Sequence, residues 1–126
     1  MPATLEHTNV TVSNAQETAA WMAELFGWHI RWEGPSKDGG RSLHIGTDTQ
    51  YIALYQPAAP TAKKADTYTT CGGLNHIAVV VDDLSDTEKH VKKLGFTPEN
   101  HADYEPGQRF YFHDTDDIEY EIVHYG

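Results

Sequence analysis

The sequence predicts an α+β fold built from two β-α-β-β-β units, and three observations carry that prediction. Leu5-Glu6-His7-Thr8-Asn9-Val10-Thr11-Val12 reads like Leu74-Asn75-His76-Ile77-Ala78-Val79-Val80-Val81, each a strand-like run with histidine at its third position. Each run leads into a polar turn, a helical stretch and three further strand-like runs. The two repeats then end in similar strands, Tyr51-Ile52-Ala53-Leu54-Tyr55 and Glu119-Tyr120-Glu121-Ile122-Val123. The histidines are 69 residues apart, and Ala53 and Glu121 are 68 apart. A spacing held to within one residue across two elements indicates a duplicated unit in which His7, His76 and Glu121 occupy related positions. Two histidines and one carboxylate are the ligand set of an open divalent-metal site.

The elements follow in order. Thr/Val enrichment and alternation predict a first strand over 5–12, with Thr8, Val10 and Val12 on one face and His7, Asn9 and Thr11 on the other. Ser13 or Asn14 offers an N-cap oxygen for a helix over 15–26, where Ala19, Met22, Leu25 and Phe26 form an apolar stripe. Gly27 stands where a left-handed C-cap is expected. Residues 28–33 read as a strand, 34–40 as a hairpin loop rich in Gly and Pro, and 41–46 and 50–56 as two more strands. Residues 57–73 have no period and carry Pro and Gly at their ends, which reads as a linker between repeats 5–56 and 74–124. The second repeat gives a strand at 74–82, a helix over 85–94 ended by Gly95, and strands near 97–104, 108–114 and 118–124. Strands joined by short loops should pair antiparallel.

At 126 residues the chain is long enough for one domain, 1–126, made of two halves too small to be stable separately. An apolar share of 39% predicts a modest core. Nineteen acidic against nine basic residues give a charge of −10, which opposes nucleic acid and anionic membrane surfaces. The single cysteine, Cys71, leaves no intrachain disulfide and is given no role. The start has no leader-like pattern and no stretch approaches a membrane span, so a cytoplasmic protein is expected.

One face of a half-buried strand packs on the helix and the other faces away. In the second repeat Ile77, Val79, Phe110, Phe112, Ile118, Tyr120 and Ile122 should pack inward. That leaves His76, Arg109, Tyr111, His113, Glu119 and Glu121 on the open face. In the first repeat His29, Arg31 and His44 should be open, with Trp28, Ile30, Trp32, Leu43 and Ile45 inward. If two such faces curl into a cup, they enclose a polar cavity with metal ligands at its floor. Glu119 is expected to be solvated or paired with Arg109. His29, His44, His101 and His113 read as polar surface or cavity residues, and Trp21 as a surface or dimer contact.

The paired units, the His-bearing first strands and the Glu-bearing last strand resemble the vicinal oxygen chelate superfamily. That group includes glyoxalase I, extradiol dioxygenases, fosfomycin-resistance transferases and bleomycin-binding proteins. The resemblance spans roughly 5–124. Residues 111–121 are similar to the family's F-x-D-P-x-G-x-x-x-E ending, with Asp114 and Glu121 in place, Thr115 for Pro and Asp117 for Gly. The resemblance implies a cup-shaped mixed sheet and metal ligands at His7, Ala53, His76 and Glu121, of which alanine cannot bind. The remaining set, His7, His76 and Glu121, suits Fe(II) or Mn(II), with Ni and Zn also open. The ion would act as a Lewis acid on two neighbouring substrate oxygens. Thr11 and Ala53 depart from glyoxalase I, which has arginine and glutamate there. Arg109 departs from the serine of the fosfomycin group, and 97–108 lacks that group's Lys and Ser pattern.

The expected activity is a metal-dependent lyase or dioxygenase reaction on a small, oxygen-rich anion. Glu121, Tyr111 and Arg109 are its catalytic and orienting residues, since arginine pairs with carboxylates. Metal-bound hydroxide or Glu119 is the candidate base, and a homodimer is expected. The rival is a metal-free binding protein of the bleomycin-resistance kind, to whose cationic ligands the −10 charge is suited.

Overall fold

A computed structural model describes residues 1–62, 65–104 and 107–126, so Lys63 and Lys64 of the expected linker lie outside the described residues. The chain divides into two units, Met1–Thr61 and Ala62–Gly126.

In the first unit β1 (His7–Thr11) is followed by α1 (Ala15–Phe26), β2 (His29–Pro35), a short 3-10 turn at Lys37–Gly39, β3 (Arg41–Gly46) and β4 (Tyr51–Gln56). The strands form one mixed sheet in the order β1-β4-β3-β2, with β1 parallel to β4 and the other pairs antiparallel. Helix α1 starts where the sequence predicts. The Asn14 side chain accepts from Glu17 N–H at 3.1 Å, and Ala15 N–H is taken by Gln56 Oε1 at 2.8 Å. It ends at Gly27, whose φ of 72° closes the helix with a bond from its N–H to Ala23 O. Ala15, Thr18, Ala19 and Met22 are its buried face, against a sheet that buries Leu43, Ile45, Ile52 and Leu54. Asn14→Ala should therefore cost about 1 kcal/mol in urea unfolding, the usual worth of an N-cap side chain; an unchanged midpoint would contradict the cap.

Strand β2 corrects one sequence expectation. The β2–β3 register shifts between Ile30 and Trp32, so Arg31 is the extra residue of a bulge. The bulge resets the alternation, and Trp32 pairs with His44 and is turned to the open face, 48% exposed. Ile30 stays opposite Ile45 but is 44% exposed on this edge strand. Leu43 and Ile45 are buried as predicted.

The second unit repeats the plan with β5 (Ile77–Val80), α2 (Leu84–Lys93), β6 (Glu99–Tyr104), β7 (Gly107–His113) and β8 (Glu119–His124). Its sheet order is β5-β8-β7-β6, again with the first pair parallel. Strand β5 is shorter than the predicted 74–82, because its pairing to β8 runs only from Ile77 opposite Tyr120 to Val80 opposite Val123. Asp83 caps α2 by accepting from Asp86 N–H at 2.9 Å. Phe110, Phe112, Tyr120 and Ile122 are fully buried, the Phe112 and Tyr120 rings stacked at 5.3 Å. The fold is thus α+β, with two four-stranded mixed sheets and two α-helices among the described residues. Among the described residues no helix is long and apolar enough to cross a membrane.

Two equivalences read from spacing are visible in the strand pairing. Asn9, two residues after His7, lies opposite Ala53; Ala78, two residues after His76, lies opposite Glu121. His44 pairs across the other side of Ala53 as Tyr111 does across Glu121. Ala53 and Glu121 therefore hold the same place in the two sheets.

Candidate metal centre

The open face of the second sheet carries an array of ionisable side chains arranged by strand register. Tyr111 lies opposite Glu121 and His113 opposite Glu119 on adjacent antiparallel strands, so all four project to one face. His76, just before β5, reaches over the same face. Its Nε2 lies 3.0 Å from Glu121 Oε1, and its ring stands edge-on to Tyr111 at 5.7 Å. The second Glu121 oxygen accepts from Arg109 Nη1 at 2.7 Å, with both side chains nearly buried. Arg109 Nη2 also donates to Gly107 O at 3.5 Å. Four of the five sequence-predicted site residues, His76, Glu121, Arg109 and Tyr111, are thus gathered together.

His7, the fifth, stands in the first unit. Its Nδ1 is 2.9 Å from Glu6 Oε1, and its ring stacks on Tyr51 at 4.7 Å. That hydrogen bond is the main reason the Glu6 carboxyl sits below its usual range. Tyr51 also stacks on His44 at 4.6 Å and lies under the Arg31 guanidinium at 4.4 Å. Burial, then the charges of His7 and Arg31, lowers the pKa of His44.

Glu119 differs from its expectation. Arg109 pairs with Glu121, while Glu119 accepts the hydroxyl proton of Tyr68 and faces His76 Nδ1 at 3.9 Å and His113 Nε2 at 3.8 Å. His113 Nδ1 in turn meets Glu99 Oε1 at 2.8 Å. A cleft of about 430 Å³ adjoins this end of the array, lined by Leu94, Phe96, Thr97, Glu99, His113 and Thr115. The remaining histidines match their polar reading, His29 beside Asp48 and His101 beside Glu88.

Tyr68 is the residue that sequence reasoning missed. Its hydroxyl lies 3.3 Å from His76 Nδ1 and donates to Glu119. It falls in the stretch read as a linker, yet residues 65–73 of that stretch belong to the second unit and turn around Asp66. Only the Asp66-Thr67-Tyr68 order, with an Asx-turn former two residues before the tyrosine, hints at it in the sequence. Cys71 is exposed, consistent with no role in the site.

The donor types fit a divalent cation, an imidazole nitrogen and a carboxylate oxygen 3.0 Å apart. Glu121, His76, Tyr68 and Glu119 make three successive donor–acceptor contacts. A neutral imidazole and a phenol supply two protons between them. With Tyr68 donating to Glu119 and Nδ1–H donating to Tyr68, the Nε2 lone pair and a carboxylate oxygen face each other at 3.0 Å. A positive charge belongs between or beside such a pair, and either a second imidazole proton or a metal ion bound by Nε2 and the carboxylate would supply it. Among the described residues of this unit, no third His, Cys, Asp or Glu completes a ligand cage.

The chain matches the family model of the Glyoxalase/Bleomycin resistance protein/Dioxygenase superfamily over residues 4–122 and belongs to that superfamily. Among solved structures it is similar to a glyoxylase/bleomycin resistance protein/dioxygenase domain from Frankia sp. EAN1pec, with 19% identity and a TM-score of 0.82 over 100% of this chain and 94% of that one. A glyoxalase family protein from Enterococcus faecalis is 20% identical, with a TM-score of 0.77 over 95% and 96% of the two chains. The fosfomycin resistance protein FosX from Listeria monocytogenes, as a mutant complexed with Mn(II) and 1S,2S-dihydroxypropylphosphonic acid, is 17% identical. Its TM-score is 0.75 over 98% of this chain and 93% of that one. No curated protein sequence matches the chain.

Proposed function

We propose that this protein is a metal-dependent enzyme of the glyoxalase/dioxygenase type, acting on a small, oxygen-rich anion. The observation that carries the reading is the His76–Glu121 pair, two donor atoms 3.0 Å apart with their far sides already held. His7 is the third ligand, from the first unit of this chain or of a second copy in a homodimer. Fe(II) or Mn(II) is favoured by the 2-His-1-carboxylate chemistry, and the Mn(II) in the similar Listeria protein supports a divalent ion in general. When bound, the ion supplies Lewis acidity to two neighbouring substrate oxygens.

The chain's own residues do the rest. Arg109 holds Glu121 Oε2, which leaves Oε1 turned to His76. Its orienting role therefore runs through Glu121, while Tyr111 presents its ring and hydroxyl to the substrate. The adjoining cleft gives room for the substrate's remainder. Glu119 is the candidate proton acceptor, held by Tyr68 and close to His113.

Elemental analysis of untagged protein purified without chelators tests this reading. About one equivalent of Fe, Mn, Ni or Zn is expected in the wild type and none in His76→Ala. A protein that stays metal-free after anaerobic Fe(II) reconstitution would instead be a binding protein of the bleomycin-resistance kind. In that case His7→Ala would keep its small-molecule affinity; in the enzyme it loses both metal and turnover.

A further inference from the structure

We propose that Tyr68 and Glu119 are positioning residues that aim His76 at the metal, a role that rests on the metal-binding reading above. The segment carrying Tyr68 is built to place it. Asp66 Oδ1 accepts from Tyr68 N–H at 3.0 Å, and Asp66 O accepts from the Thr70 hydroxyl at 2.7 Å. Gly73 N–H closes the turn onto Thr70 O at 2.9 Å. A side chain at position 73 would meet Thr67 O at 2.9 Å, so the doubled-back path requires glycine there. The loop thereby brings a hydroxyl from eight residues upstream onto the far side of the His76 ring.

With a metal on Nε2, that contact has one consistent arrangement. Tyr68 has a single proton, and Glu119 takes it. The Tyr68 oxygen is then an acceptor for His76 Nδ1 at 3.3 Å. An imidazole that keeps its proton on Nδ1 presents the Nε2 lone pair, and Nε2 is the atom facing Glu121. Glu119 fixes Tyr68, Tyr68 fixes the tautomer and ring plane, and the fixed ring presents a preformed ligand. Outer partners of this kind are worth roughly 10–100-fold in metal affinity.

The test is Mn(II) affinity by titration calorimetry on the full chain, with Tyr68→Phe, Glu119→Ala and His76→Ala beside the wild type. Tyr68→Phe and Glu119→Ala should weaken Mn(II) binding roughly 10–100-fold while leaving the circular dichroism and thermal midpoint in place. A purely structural role would not move a second signal: the Zn(II)-loaded wild type should show a slowly exchanging His76 Nδ1–H resonance, lost in Tyr68→Phe. Wild-type affinity in Tyr68→Phe, or persistence of that resonance, would overturn the positioning role while leaving the metal site standing. A wild type that takes up no Mn(II) would overturn the metal-binding reading and this inference with it.

Discussion

Glu121→Ala is expected to destabilise the protein by about 3 kcal/mol and to abolish divalent-cation binding, because one carboxylate serves two separable purposes. Its Oε2 answers the Arg109 guanidinium at 2.7 Å, with side-chain exposures of 12% and 9% for the arginine and the glutamate. At that burial neither charge is well solvated, and truncating the carboxylate strips the guanidinium of its counter-ion in a low-dielectric setting. Removal of one member of a buried pair costs roughly 3–5 kcal/mol, and the remaining edge of solvent access places this case at the lower end. The other oxygen faces His76 Nε2. Glu121→Gln separates the two effects. A glutamine oxygen still accepts from Arg109 but carries no counter-charge, so only the hydrogen-bond part of the stability should survive, while the amide is a poor ligand for a hard divalent ion. Urea unfolding beside Mn(II) calorimetry checks both. Wild-type stability in Glu121→Ala would show the ion pair contributing nothing, and Mn(II) affinity retained by both variants would remove Glu121 from the ligand set.

The sequence made the repeat legible because duplication leaves two independent readings of each element. A histidine at the third position of two strands is ambiguous singly. Paired with a common offset to Ala53 and Glu121, it specifies a register, and the parallel β1–β4 and β5–β8 pairings reproduce that register. Alternation in Arg109-Phe110-Tyr111-Phe112-His113 assigned both faces of β7, because its pairing to β8 has no register shift and the shift in its pairing to β6 puts the extra residue on β6. Where the pleat is irregular the same reasoning failed. The bulge at Arg31 inverts the side of Trp32, and no local residue announces it, since no glycine is needed there. Tyr68 was illegible for a different reason. Its position depends on a hydrogen-bonded turn around Asp66 and on long-range contacts to Glu119 and His76, neither of which has a period. Glu119 was misassigned because a strand pattern gives the face of a side chain but not its partner.

Asp114→Ala should cost about 2–4 kcal/mol at neutral pH, while Asp114→Asn should be close to neutral or stabilising there. Asp114 anchors the loop that carries the chain from β7 into β8, the strand that bears Glu121. Its Oδ1 accepts from the backbone N–H of Asp116 at 2.9 Å and of Ile118 at 3.0 Å, and its Oδ2 takes the Tyr120 hydroxyl at 3.1 Å. The loop closes through Asp117, whose φ of 61° explains why the family motif places glycine there. Alanine deletes all three bonds, among them the one from the buried Tyr120 hydroxyl. Asparagine keeps the two backbone bonds through its Oδ1 and can donate its amide N–H to the Tyr120 oxygen. The pH dependence separates the two variants further. Burial pushes the Asp114 carboxyl above its usual value, against the pull of the Ile118, Tyr120 and Asp116 donors. The folded state then binds its proton more tightly than the unfolded state. This group's contribution is full below the ordinary aspartate range and is lost as pH rises through the elevated folded value. Asp114→Asn cannot ionise, so the difference in stability between it and the wild type should grow in the variant's favour from about pH 3.5 to about pH 7. Urea unfolding across that range reads it directly: a difference that is flat, or that moves toward the wild type with rising pH, would mean that the three hydrogen bonds outweigh burial at Asp114.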